Sequence, residues 1–296
     1  MESKKIYDIV IFGNYTKDTI ISKTGTRYVD GGGFNYGAHA AANSGKEVAA
    51  VTRLAKEDSR VITTLEEIGV DVFPTYTSTS THMKLEYPTD NVDERILTCS
   101  ATAGTYAISQ FDGLEAKAFL INSSVREEVP LNLVKELRKK ECLLVADGQG
   151  FTRIISPNRT LMHEEWPEKI EVLKLIDVLK VDIVEAESLT GEKDIFKAAK
   201  MLAEFGPKEI VLTHRNGILV YAGDKYFEET FKPKKLIGRS GRGDTCIASY
   251  MAKRLTAEPV EAIKWSAAVT SLKLEAEGPF KGNIKKINEM IINHYI

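Results

Sequence analysis

Gly238-Arg239-Ser240-Gly241-Arg242-Gly243-Asp244-Thr245-Cys246 leads straight into Ile247-Ala-Ser-Tyr-Met-Ala-Lys-Arg-Leu255, joining a glycine-rich turn to a stretch that reads as a helix. Glycines at 241 and 243 allow positive φ and leave main-chain N–H groups uncovered. The unpaired N–H groups and positive dipole end of the following helix face the same space, an arrangement suited to phosphate. Asp244 stands at that helix mouth. A carboxylate there can take a hydroxyl proton while the N–H groups stabilise a transferring phosphoryl group; it can equally be an ordinary N-cap. The segment is not a P-loop, because Asp follows the last glycine where Lys would be required.

Upstream of this turn the chain alternates between two kinds of segment. Strand-like runs are expected at Ile6 to Phe12, Val48 to Thr52, Ala118 to Asn122, Cys142 to Ala146, Val178 to Val184 and Glu209 to Thr213. Helical stretches fall between them, at Ala38 to Ser44, Ser59 to Ile68, Leu131 to Lys140, Ile170 to Ile176 and Ile195 to Phe205. That alternation implies an α/β fold with a mostly parallel central sheet covered on both faces, whose ligands gather at the carboxyl ends of the strands. Two segments break it. Thr19 to Val29 and Phe73 to about Thr102 are rich in Thr, Tyr, Val and Ile without a helical stripe, and Pro88 to Asp93 reads as a turn. They predict a second, smaller β-sheet folded over the active end as a lid, with core 1–15, 32–72 and 106–296 and lid 16–31 and 73–105. His82, Lys84 and Glu86 lie on one face of a lid strand, within possible reach of a ligand. A lid edge also suits homodimerisation.

With 296 residues, 43% hydrophobic and 28% charged, the chain has the composition of a globular protein with ample apolar core. A net charge of -2 gives no global attraction to nucleic acid or to an acidic membrane. Three cysteines, Cys99, Cys142 and Cys246, lack metal-ligand spacing and argue against a disulfide framework. No signal-like or membrane-spanning run is evident, so a cytoplasmic setting is expected.

Taken together, these segments resemble the ribokinase-like, or phosphofructokinase-B, family of sugar and nucleoside kinases nearly end to end. The resemblance implies a ribokinase-like three-layer sandwich, with ATP as co-substrate and Mg2+ as cofactor. Gly238 to Asp244 aligns with the family's Asp-Thr-x-Gly-Ala-Gly-Asp, which makes Asp244 the matching catalytic base and Gly241, Arg242 and Gly243 the matching anion hole. Asp18, after the first strand, matches the acceptor-binding aspartate. Gly32 and Gly33 match the early glycine pair, with Tyr36 where many members carry a sugar-directed asparagine. Asp182-Ile-Val-Glu185 resembles the Asn-x-x-Glu segment that supports magnesium and phosphate, with Glu185 the better match, and Thr213 falls at a strand end beside the nucleotide. Asp147-Gly-Gln149-Gly-Phe-Thr-Arg153 offers polar groups for a polyhydroxylated ligand. This segment, with an aromatic replacing the asparagine, is similar to the branch containing myo-inositol kinases.

The signature departs from the family at Gly238, Arg239 and Arg242, which adds two cations beside the phosphate site. A guanidinium can fork onto phosphoryl oxygens, so Arg242 is a candidate donor ligand, or else only its backbone matters. The expected reaction is phosphoryl transfer to a small sugar or cyclic polyol, with a nucleoside kinase or a catalytically silent binding regulator as alternatives. A dinucleotide-dependent oxidoreductase is disfavoured, because Gly13-Asn-Tyr-Thr-Lys-Asp18 lacks the pyrophosphate turn Gly-x-Gly-x-x-Gly.

Overall fold

The computed structural model describes residues 5–23, 25–89 and 95–295. From the N-terminus, β1 (Ile6–Phe12) is followed by β2 (Thr16–Ser22), β3 (Gly25–Gly31), α1 (Gly33–Ala42) and β4 (Val48–Ala55). Next come α2 (Arg60–Glu66), β5 (Asp71–Thr77), β6 (Thr81–Glu86) and β7 (Ile96–Ala101). The middle of the chain forms β8 (Glu115–Ile121), α3 (Leu131–Arg138), β9 (Leu143–Asp147), α4 (Gln149–Thr152), β10 (Arg153–Ile155) and β11 (Leu161–His163). It continues through α5 (Lys169–Leu173), β12 (Val178–Asp182), α6 (Ile183–Thr190), α7 (Ile195–Glu204) and β13 (Glu209–Thr213). The last elements are β14 (Gly217–Ala222), β15 (Lys225–Thr230), α8 (Arg242–Arg254), α9 (Pro259–Leu274) and α10 (Ile284–His294).

Nine strands form one sheet in the order β15-β14-β13-β12-β9-β8-β1-β4-β5. Pairings from β13 across to β5 are parallel, and the β14–β15 hairpin adds antiparallel strands at one edge. Alternation along β1 shows why both faces are covered. Ile9 and Ile11 enter a core with residues of α1, α8 and α9, while Val10 and Phe12 enter one with residues of α3 and α7. A strand buried on both faces must be apolar throughout, which is the run the sequence displays. Chain order reverses between β1 and β8, so the crevice at their carboxyl ends is a topological switch point.

The small sheet has the order β3-β2-β6-β7. β2 leaves the carboxyl end of β1 and β6 follows β5, so both insertions rise from the active end. Ile20, Met83, Leu85 and Cys99 form its apolar underside with Val125 of the core. Among the described residues, no helix is long and apolar enough to cross a membrane.

Three expectations need correction. Phe73 does not open the lid: it lies within β5, which pairs in parallel with β4, so Asp71–Thr77 extends the large sheet. Threonine and tyrosine suit either sheet, and composition alone could not choose between them. The final glycine-turn helix begins at Arg242 rather than Ile247. Val178 to Val184 is not all strand, because α6 starts at Ile183. The expected turn at Pro88 to Asp93 lies, from residue 90 on, outside the described residues.

Candidate active site

A cavity of about 470 Å³ opens between the lid and the carboxyl ends of the core strands. The lid contributes Asp18, and the start of α1 contributes Gly32, Gly33 and Tyr36. Core strand ends supply Asp182 and Thr213, the segment after β9 supplies Gln149 on α4 and Arg153 at the start of β10, and the glycine turn supplies Gly241, Arg242, Gly243 and Asp244. Residues spread over more than 220 positions of sequence thus meet in one place, while Glu185 and Asp147 stay behind the cavity wall.

Gly241 is the N-cap of α8 with φ 74°, a left-handed conformation that a side chain would strain. A Cβ there would also fall 2.1 Å from the Tyr36 ring. Arg242, Gly243 and Asp244 therefore form the first helical turn; the Arg242 N–H donates to the Arg239 carbonyl at 3.2 Å, while those of Gly243 and Asp244 lack partners within the helix. Asp244 is not the cap but the third residue of that turn. At Gly243 the need is space, since a Cβ would lie 2.7 Å from Lys180 Nζ.

Lys180 is the residue that sequence reading missed. It is 3% exposed in β12, and Nζ lies 3.1 Å from Asp147 and 3.8 Å from Glu185. Burial alone would push this ammonium down, but Asp147, Glu185, Asp182 and Asp244 outweigh burial and hold it above its ordinary value. The available signal was a lysine inside an otherwise apolar parallel strand, a place that does not tolerate an unpaired charge. Asp244 itself is pushed above the usual carboxylate range by burial, with Lys180 and Arg153 opposing. Gln149 Nε2 donates to Asp244 Oδ1 at 3.4 Å, and the Gln149 N–H donates to Asp147 at 3.1 Å.

Glu185 was expected to hold magnesium. Its carboxylate is wholly buried and committed: Arg153 donates to it at 3.2 Å and the Asp182 N–H at 2.9 Å. Asp182 in turn accepts from the Val184 and Glu185 N–H groups, so the pair is a reciprocal cap on α6. Among the described residues no cluster of three metal-binding side chains occurs. Glu185 does not fit a direct metal ligand, and it serves instead to fix Arg153 and Lys180 at the cavity wall.

At the lid end, Asp18 is 8% exposed and its Oδ1 has no hydrogen-bond partner. Burial pushes its carboxyl up to about 7; a Thr16 hydrogen bond opposes this, while Asp244 and Asp30 add to it. An acceptor hydroxyl would satisfy that oxygen. On β6 it is Met83 and Leu85 that line the cavity. His82, Lys84 and Glu86 occupy the other face, where Lys84 and Glu86 pair at 3.0 Å. The lid thus presents Met83, Leu85, Tyr87 and Leu97 around one buried carboxylate, with Thr16 and Arg95 also lining the cavity.

At the opposite end stand Arg215, Arg239 and Arg242. They are shared with a second cavity of about 330 Å³ lined also by Phe231, Pro233 and Leu236. Arg242 lies between the two, its guanidinium 6.0 Å from the Phe231 ring centre and donating to the Arg215 carbonyl at 3.4 Å.

Comparison with known proteins agrees with this geometry. The model of the pfkB family carbohydrate kinases matches residues 4–285. A pyrophosphate-dependent kinase in the ribokinase family, solved with a pyrophosphate analog and myo-inositol, is 31% identical; the match covers 95% of this chain and 99% of that one with a TM-score of 0.87. A sulfate complex of a pyrophosphate-dependent kinase in the same family is 32% identical, covering 96% and 100% with a TM-score of 0.89. The cytidine kinase of Thermococcus kodakarensis is 29% identical over 272 residues, 86% of this chain and 91% of that protein. With the family model spanning nearly the whole chain and the glycine turn, buried acid and lid meeting in one cavity, the protein belongs to the pfkB family of carbohydrate kinases and has the ribokinase-like α/β fold.

Proposed function

We propose that the chain transfers a phosphoryl group from pyrophosphate to a hydroxyl of a cyclic polyol of the myo-inositol kind, pyrophosphate taking the place of the ATP expected from the sequence. The observation that carries this reading is the donor end. Three arginines converge there, and Arg242 lines both that cavity and its neighbour, with its guanidinium over the Phe231 ring. A short, highly charged donor suits that chemistry, because guanidinium groups fork onto phosphoryl oxygens.

In the reaction Asp18 orients the acceptor. Asp244 takes the hydroxyl proton as the oxygen forms its bond to phosphorus. The bond from phosphorus to the bridging oxygen breaks, and orthophosphate leaves toward the arginines. First-turn N–H groups of α8 stabilise the group in flight, with Lys180 beneath them as a fixed positive charge. The lid excludes water that would otherwise accept the phosphoryl group. A homodimer through the lid is kept as part of the proposal, supported by edge strand β3, where Tyr28 is 75% exposed.

A nucleoside acceptor is the second reading, favoured by the similarity to a cytidine kinase. The test is phosphorus NMR of product formation with pyrophosphate or ATP, each offered myo-inositol or cytidine in magnesium buffer. The reading predicts a new phosphomonoester from pyrophosphate and myo-inositol. Product from ATP and cytidine alone would replace it with the second.

A further inference from the structure

Lys273, in the last turn of α9, is 2% exposed and is not used by the chemistry above. Its one side-chain hydrogen bond among the described residues is from Nζ to the Gly238 carbonyl, at 2.8 Å. Gly238 opens the turn that ends at Asp244. The same ammonium lies 5.4 Å from the centre of the Tyr36 ring. That ring also packs on Gly241, where a Cβ would come within 2.1 Å. One buried cation thus braces the turn at two points, through a carbonyl at its start and through an aromatic ring at its αL glycine. The segment leading into the turn is clamped to the same helix end, with Ile237 N–H donating to the Leu274 carbonyl at 2.8 Å and Gly238 N–H at 3.2 Å.

Burying an ammonium without an ion-paired carboxylate is costly. Carbonyl and ring interactions in a dry site recover part of that cost, and the negative end of α9 helps. A methionine would fill the space without the cost, so packing alone gives no reason for a charge here.

We propose that Lys273 is a positioning residue for phosphoryl transfer, a fixed internal cation that holds the turn 238–243 in its anion-binding form from behind. This role rests on the kinase reading of the site, but it concerns anion binding and can be measured without turnover. Burial pushes the ammonium down to about 8; Glu277, on the loop after α9, and Asp244, on α8, oppose this, while Arg242 of α8 adds to it. Together with the Tyr36 ring of α1, these are the charged and titratable groups facing it. Its charge is therefore present at neutral pH and lost at moderately alkaline pH.

The test is pyrophosphate binding by calorimetry in the parent, in Lys273→Met and in Lys273→Ala, with melting temperature recorded for each. The proposal predicts pyrophosphate affinity about tenfold or more weaker in both variants, below the roughly 10²- to 10³-fold effect of removing a direct oxyanion donor. In turnover, donor KM rises while acceptor KM holds. Methylammonium or potassium restores binding to Lys273→Ala, and tetramethylammonium at the same ionic strength does not. Should the variants fold poorly, sulfate binding by the parent between pH 7 and 9.5 reads the same charge, because sulfate does not titrate there, and affinity falls on the alkaline side. Unchanged pyrophosphate affinity in a folded variant, equal rescue by every cation, or flat sulfate binding across that range would overturn the proposal. Absence of transfer in the parent would overturn the kinase reading and leave these binding results to judge Lys273 separately.

Discussion

Replacing Asp18 with Asn separates the requirements of the fold from those of the chemistry. The carboxyl sits at about 7 against an ordinary value of 3.8, mainly because it is buried. A folded-state value above the unfolded one means that, between these pH values, the unfolded chain has released a proton the folded chain still holds. Stability then falls as pH rises through that window and is flat above it. The full separation of about 3 units corresponds to about 4 kcal/mol at pH 8 and above, an upper value given how readily buried sites relax. Between pH 5 and pH 8 the parent should lose about 2–3 kcal/mol of it. Asn has the same shape and no charge. Urea unfolding of parent and Asp18→Asn at pH 5 and pH 8 should therefore show the variant gaining about 2–3 kcal/mol on the parent as pH rises, while its transfer activity drops at both. Parallel pH dependence in the two proteins would refute the claim that Asp18 carries a buried, weakly compensated charge for the acceptor's sake.

Other variants probe the wall and the turn. Lys180→Met leaves Asp147 buried without its cation and Glu185 with Arg153 alone, and should cost about 3–5 kcal/mol in urea unfolding at pH 8. The loss should be smaller at pH 5, where burial lets those carboxyls take up protons. Gly243→Ala places a methyl 2.7 Å from Lys180 Nζ and must displace it; we expect about 1–3 kcal/mol of destabilisation by thermal melting together with reduced turnover. Asp244→Asn should lower turnover by roughly 10²- to 10⁴-fold while pyrophosphate binding by calorimetry stays near that of the parent.

How far the sequence could be read depended on the physical origin of each feature. Parallel strands buried on both faces leave continuous apolar runs, so Val48–Ala55 and Glu209–Thr213 were visible, whereas β14, β15, α9 and α10 were not assigned. The start of α8 was hidden because Gly243 and Asp244 have poor helix propensity, and it is the left-handed Gly241 and packing against Tyr36 that begin the helix there. Twelve of the expected site residues line one cavity because the family motifs sit at strand ends, where the fold must gather them. The spacing of Glu185 from Asp182 satisfies both a ligand motif and a helix cap, and the hydrogen bonds show the cap. Lys180 left one signal, a lysine inside an apolar strand, that went unread, and Lys273 carries no local pattern. Only the tertiary fold places one beneath Gly243 and the other behind Gly238.

The most direct measurement is orthophosphate release from pyrophosphate, with and without myo-inositol, in the parent and in Asp244→Asn. The account predicts acceptor-dependent release in the parent that collapses in the variant. Release that is independent of acceptor, or unchanged in Asp244→Asn, would contradict it.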